Sequence, residues 1–224
     1  MASRTFGRIT VTTPDLDEPG LYLSVVDSLD SPRGTVQDFT YGNVELRSLA
    51  LTGIQLVTGR VSDVRAKHVE FDALNLHGVE INSSDLGSAR WSRSKLTRVR
   101  FHDCKVMGAA LDGMVLDDVL FEKCRFDYAG FENVRADGPV AFVGCAFTEA
   151  VFTDCDLSGA VFSDCGLRLT EFGGGRYRDT DLRGNELSQI RGVANLAKVR
   201  IESGQQTDLA QALVHELGIT IGDG

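Results

Sequence analysis

Every fifth residue through the middle of this chain is apolar. The series runs from Tyr41 through Leu46, Leu51 and Leu56 to Phe131 and Ala136. After a one-residue slip at Asp137-Gly138-Pro139 it resumes at Phe142 and continues to Leu187. All thirty positions of the series are apolar in a chain that is 42% apolar overall, so the period is not an accident of composition. Two residues before each centre lies a second restricted position, mostly small or β-branched, as in Val64, Ala109, Cys124 and Ala160. Neither position ever holds Asp, Glu, Lys or Arg, although 25% of the chain is charged.

A period of five suits neither regular element. On a helix at 100° per residue the centres would drift round the axis. In a continuous strand an odd spacing would put successive centres on opposite faces. The pattern is consistent if each pentad is a short extended segment with two inward side chains, two residues apart, followed by a bend. A chain of such units coils on itself, and a repeat of this kind fixes the architecture before any single element is considered.

The stretch AVFTD-CDLSG-AVFSD, Ala150 to Asp164, resembles the A-(D/N)-L-x-x signature of pentapeptide-repeat proteins. The resemblance extends over residues 39–190. It implies an all-β fold, a right-handed quadrilateral β-helix with four pentads per coil, with a short C-terminal α-helix. Residues 1–38, with alternating runs around Arg8 to Val11 and Leu21 to Val25, are expected to form an N-terminal cap. Gly59 on an inward position predicts less regular first coils, and Gly138-Pro139 reads as a one-residue bulge in preference to a small functional loop. Residues 191–224 are expected to hold a C-terminal cap and the helix. There Thr207 or Asp208 is the expected N-cap and Gly218 the C-cap.

Candidate chemistry is thin. The five cysteines all fall on the small inward position, and Cys104, Cys124, Cys145 and Cys165 recur about once per coil. They would form a line rather than the tetrahedron that zinc requires, so they read as buried, reduced small hydrophobes. His68, His77, His102 and His215 lack metal-site spacing and read as surface residues. Gly173-Gly174-Gly175 lacks the Lys-Ser/Thr of a phosphate loop. No catalytic constellation, cofactor or metal site is expected. The N-terminus has no signal-peptide run and no stretch reaches the length of a membrane span, which predicts a cytoplasmic chain with no membrane role.

Charge carries more information. A formal net charge of −9 argues against direct nucleic-acid binding. Residues 89–105 are basic, with Arg90, Arg93, Lys95, Arg98, Arg100 and Lys105. Residues 106–167 then hold eleven acids against three bases. The pentads centred on Leu111, Phe131, Phe152 and Phe172 present Asp112, Glu132, Asp154 and Glu171 with no Lys or Arg, forming a candidate acidic partner-binding face. The resemblance extends to bacterial quinolone-resistance proteins, dimeric acidic rods that imitate DNA. It implies a non-catalytic protein-binding rod engaging DNA gyrase or topoisomerase IV, and a homodimer formed through the C-terminal helix. Leu209, Leu213 and Leu217 would supply that dimer interface, the alternative being that their stripe only plugs the last coil. The alternative is a general interaction scaffold with no topoisomerase role.

If the register is as read, Phe121 points into a dry stack. Phe121→Asp would place an unpaired charge there and lower the melting temperature by well over 10 °C, since such burials cost several kcal/mol. Thermal unfolding followed by circular dichroism checks this, and an unchanged melting temperature would show the register to be wrong.

Overall fold

The computed structural model describes residues 2–220 and 222. The repeat folds as a right-handed quadrilateral β-helix of about seven turns. Each residue is paired in parallel with the one 20 positions on, as in Phe39 with Gly59 and Tyr41 with Val61. A residue at the pentad centre and the one two before it share a side of the backbone, so both point inward and their neighbours point out. The centres Ile81, Phe101, Phe126, Phe152 and Phe172 and, two before the first four of them, Val79, Val99, Cys124 and Ala150 are all buried in one continuous core.

Corners explain the remaining pentad position. The residue two after the centre takes a left-handed conformation at turn after turn, including Asp63, Asp103, Asp118, Asn133 and Asp154 with φ between 52° and 56°. Asp, Asn and Gly pay least for that conformation, which is why they recur there.

Stacking brings like onto like. Phe101, Phe121, Phe142 and Phe162 stack face to face at centroid spacings of 4.8, 4.9 and 4.8 Å. Phe131, Phe152 and Phe172 make a second column at 4.5 and 5.4 Å. Trp91, edge-on to Phe71 at 5.0 Å, is the exception to full satisfaction, because its buried indole N–H has no protein partner among the described residues.

The one-residue slip is a bulge. Two residues separate Leu116 from Val119, whereas three, Asp137 to Pro139, separate their ladder partners Ala136 and Val140. A Cβ at Gly138 would lie 1.9 Å from Asp117 Oδ1, so a larger residue there would displace the Asp117 carboxylate.

The first coils depart from expectation. β4 (Thr35–Thr52) and β5 (Gln55–Asp72) pair along nearly their whole lengths and are the longest strands of the described chain. Gly59 does not loosen them. The ring of Phe39 occupies the space its side chain would take, since a Cβ there would fall 2.2 Å from Phe39 Cε1.

The N-terminal segment also departs from expectation, because most of it does not close an end. β1 (Ala2–Phe6) and β2 (Ile9–Thr13) form an antiparallel hairpin. It lies on a lateral face of the rod against the strands Lys95–His102, Val115–Glu122 and Val140–Val143. Its Val11 packs on Leu120, Ala141 and Val161, three apolar residues at an outward repeat position. The chain then runs along the same face past Arg98, His77 and Thr58. β3 (Ser24–Val25) finally joins Phe39 and Thr40 as the start of the coil, and Leu29 enters the core at that end.

At the other end, a 3-10 turn (Ser203–Gln205) leads into α1 (Gln206–Glu216). The N-cap is Gln205, not Thr207 or Asp208. Gln205 is buried and its Nε2 donates to the carbonyls of Leu182 (2.8 Å) and Asn185 (2.7 Å), so the helix starts where the chain is tied to the last coil. Gly218, with φ of 63°, follows the C-cap Leu217 and lets the chain turn away.

Glu122 joins the hairpin to the rod. Burial alone would raise its pKa, but hydrogen bonds from Arg4 and Arg100 outweigh burial and hold it below the ordinary carboxylate value. Its folded-state pKa is depressed, so its contribution is present above about pH 4.5 and is lost as pH falls through the lower folded value. Glu80, beside Arg60 and Arg100, completes the local charge set. The Glu122→Gln variant is expected to lose less melting temperature than the parent between neutral pH and about pH 3. Parallel melting-temperature curves for the two proteins would contradict this.

Candidate partner-binding surface

Each of the four sides of the rod is a stack of one pentad per coil, so outward residues 20 apart form columns. On the side centred on Leu111, Phe131, Phe152 and Phe172, two such columns flank the buried centres. One runs Asp112, Glu132, Thr153, with Glu132 in register with both neighbours. The other runs Ala110, Gly130, Val151, Glu171.

Asp112 and Glu132 are therefore direct neighbours on adjacent coils and both are exposed. Asn133 Nδ2 donates to Asp112 Oδ1 at 3.2 Å. Asp154 sits at the left-handed corner after Thr153 with φ of 52°. Glu171 lies across the strand from them, half-buried, and Arg191 follows it one coil on. The structure thus places Asp112, Glu132 and Asp154 along one edge of the side and Glu171 on the other.

The surface between them is low. Ala110 and Gly130 leave a shallow depression of about 140 Å³, rimmed by Asp112, Glu132, Val151 and Thr153. Large side chains are absent from this stretch, so a flat partner surface can approach the carboxylates closely.

Electrostatics distinguish this side from the others. Among the described residues, Asp112, Glu132, Asp154 and Glu171 form no ion pair with any Arg or Lys. On neighbouring sides several acids are paired, Asp127 with Arg125 (3.0 Å), Asp156 with Arg176 (2.9 Å), Asp181 with Arg183 (2.6 Å) and Asp137 with Arg135, while Asp117 and Asp164 have no such partner among the described residues. Several of these pairs are Arg-x-Asp or Asp-x-Arg sets. Residues flanking an inward centre both point outward, so that spacing could have been read from the sequence as a pair.

The basic coil is likewise partly neutralised. Arg93 bonds to Asp72, whose carboxyl is held below its ordinary range by that guanidinium and by Ser92. Arg100 bonds to Glu122 at 2.6 Å. Arg90 and Arg93 still border the acidic stretch at one end, as Arg191 does at the other.

The other sequence candidates resolve individually. Leu209 packs against the core and so serves the cap of the last coil, and Leu213 is half-buried. Leu217 (62% exposed) and Ile219 (53%) are left outside. All five cysteines are free and buried. The four-thiol column satisfies itself on backbone carbonyls, Cys104 Sγ donating to Ile81 O at 3.3 Å and Cys145 Sγ to Phe121 O at 3.4 Å. Burial pushes the Cys155 thiol up to about 11.

His77 is not a simple surface residue. It lies half-buried against Arg98 beneath residues 13–21, and burial, then Arg98, lowers its pKa. The glycine run has a packing role: a Cβ on Gly173 would fall 2.7 Å from Phe152 O and one on Gly175 2.2 Å from Cys155 O. Among the described residues no helix is long and apolar enough to cross a membrane.

A four-sided rod with a filled core and side chains displayed in columns defines a solenoid that presents surfaces. The repeats of this chain are pentapeptide repeats: the model of pentapeptide repeats matches residues 145–184 in eight copies, and the same coil geometry continues on the N-terminal side. Among solved structures, the chain is similar to full-length QnrB1, a plasmid-mediated fluoroquinolone resistance protein. That match has 17% identity over 80% of this chain and 89% of that one, with a TM-score of 0.38. A trypsin-treated form of QnrB1 matches at 17% identity over 89% and 96% of the two chains, with a TM-score of 0.37. HetL, a pentapeptide-repeat protein involved in heterocyst differentiation regulation in the cyanobacterium Nostoc, matches at 15% over 74% and 86%, with a TM-score of 0.24. No curated protein sequence matches.

Proposed function

We propose that this chain is a non-catalytic protein-binding rod whose acidic side engages a basic partner surface, as a DNA mimic engages the DNA-binding saddle of DNA gyrase or topoisomerase IV. The observation that carries this reading is the set of four carboxylates, Asp112, Glu132, Asp154 and Glu171, left without ion pairs on a side of small residues. A saddle built for phosphates would supply the missing cations.

Magnitudes limit how much one side can do. Four coils at ~4.8 Å per layer give about 15 Å of side, over which duplex DNA carries roughly nine charges against four here. Adjoining sides would have to contribute, and there Asp127, Asp137 and Asp156 are held by arginines while Asp117 and Asp164 are not. This shortfall, and the bordering Arg90, Arg93 and Arg191, favour the second reading, a scaffold for a basic protein unrelated to topoisomerases.

In the first reading, replacing Asp112, Glu132 and Asp154 together by Asn or Gln reduces inhibition of gyrase supercoiling at least about tenfold, with the effect fading as salt rises. The melting temperature moves little, because exposed charges contribute little to stability. Equal inhibition by parent and variant, or none by either, leaves the scaffold.

The reading includes a homodimer through the far end of α1. Leu209 belongs to the cap, so the residues to change are Leu217 and Ile219. The double change to Lys is expected to halve the particle mass in sedimentation while the melting temperature holds. A mass that is the same for parent and variant rules out this interface.

A further inference from the structure

In a stacked solenoid each coil touches only its neighbours, so stability is a sum of local terms and distant coils open independently. Residues 2–21 break that rule here. The hairpin tip lies at the level of Asp181, where a Cβ on Gly7 would fall 3.1 Å from Asp181 Oδ2. Moving toward the N-terminal end of the rod, Val11 packs on Val161, Ala141 and Leu120. Arg4 bonds to Glu122, and the Thr12 N–H donates to Asp118 Oδ1 at 2.8 Å. Asp17 bonds to Arg60 at 3.1 Å. The segment then enters the sheet itself, with Ser24 and Val25 paired to Phe39 and Thr40.

The outward column under this path reads Thr40, Arg60, Glu80, Arg100, Leu120, Ala141, Val161, Asp181, one residue per coil over eight levels. It is apolar at three adjacent levels, and those three are the ones covered by the apolar side of the hairpin, where Leu120 and Ala141 are fully buried. Beyond them the column is polar and the contacts become ionic. The rod surface and the segment are thus matched level by level. The partners are far apart in sequence, 106 residues for Thr12 with Asp118 and 118 for Arg4 with Glu122.

From this matching we propose that residues 2–21 are an axial strap that couples the coils into a single cooperative unit. The strap is fixed at one end by its continuity with the first coil and at the other by the apolar stripe. Opening a late coil must therefore also lift the strap from the coils before it, and the stack no longer frays from its C-terminal end one layer at a time. The strap also keeps water off Leu120, Ala141 and Val161, which no other described segment covers.

The test is native-state hydrogen exchange in low denaturant on the full chain, comparing amides of Gln55–Asp72 with those of Val161–Ser163. In the parent the two groups open together, with the same denaturant dependence. In the full-length double variant Arg4→Ala with Val11→Asp, the Val161–Ser163 amides are expected to exchange about tenfold or more faster and to separate from the first group. A chain beginning at Tyr22 should behave the same way, and a synthetic peptide of residues 2–23 added in trans should restore its protection. If the double variant keeps the parent's common opening, or if the two groups already open independently in the parent, the strap does not couple the coils and the proposal fails.

Discussion

The parallel backbone ladder is the constraint on which the rest of this structure depends. It sets each coil about 4.8 Å above the last with a repeat of 20 residues, so every side chain rests on the side chain 20 positions away. The Phe101 to Phe162 stack, the cysteine column and the Arg60–Glu80–Arg100 ladder are all products of that one spacing, and Glu122 reaches Arg100 diagonally across the centre Phe121. The same spacing is unforgiving. One added residue must be absorbed at a corner, as at Asp137 to Pro139, because anywhere along a side it would exchange inward and outward residues.

The ladder also governs how charge is displayed. Outward residues of opposite sign fall beside one another either across a centre, as Arg125 and Asp127 do, or one coil apart, as Arg176 and Asp156 do. Some of the acids are held in such pairs, and each exposed pair adds little stability. The side bearing Asp112 and Glu132 differs because its columns offer Ala, Gly, Val and Thr where the others offer Arg. That side therefore carries carboxylates without ion pairs, although among the described residues Asp103, Asp117 and Asp164 on other sides of the rod have none either. A partner would meet local charge density there, and the net charge of the whole molecule says little about that contact.

The strap adds a second level of organisation to a fold that otherwise has only one. Repeats bury their own faces by stacking and need cover only at the ends. Here Leu29 enters the core at one end and α1 closes the other, through Ala212, Leu209 and the buried Gln205. The hairpin serves neither end. It answers an apolar stripe on the outside of the rod.

The sequence by itself determined that the chain coils and which residues point inward, because each pentad carries its own copy of the rule, and the resemblance to pentapeptide repeats supplied four pentads per coil. With that number, Asp112 and Glu132 share a column, since residues 20 apart are bound to align. Only the tertiary structure decided the course of residues 2–21. The alternation in Arg8 to Val11 announces a strand but not the surface it will find 106 or more residues away. Leu120, Ala141 and Val161, three outward apolar residues at successive coils, were the legible half of that contact. Tertiary structure likewise decided the fate of Leu209. Its stripe with Leu213 and Leu217 is the same whether a helix caps a coil or joins two rods, and the burial of Gln205 on Leu182 and Asn185 turned α1 onto its own core, where Leu209 is used up and Leu217 is not.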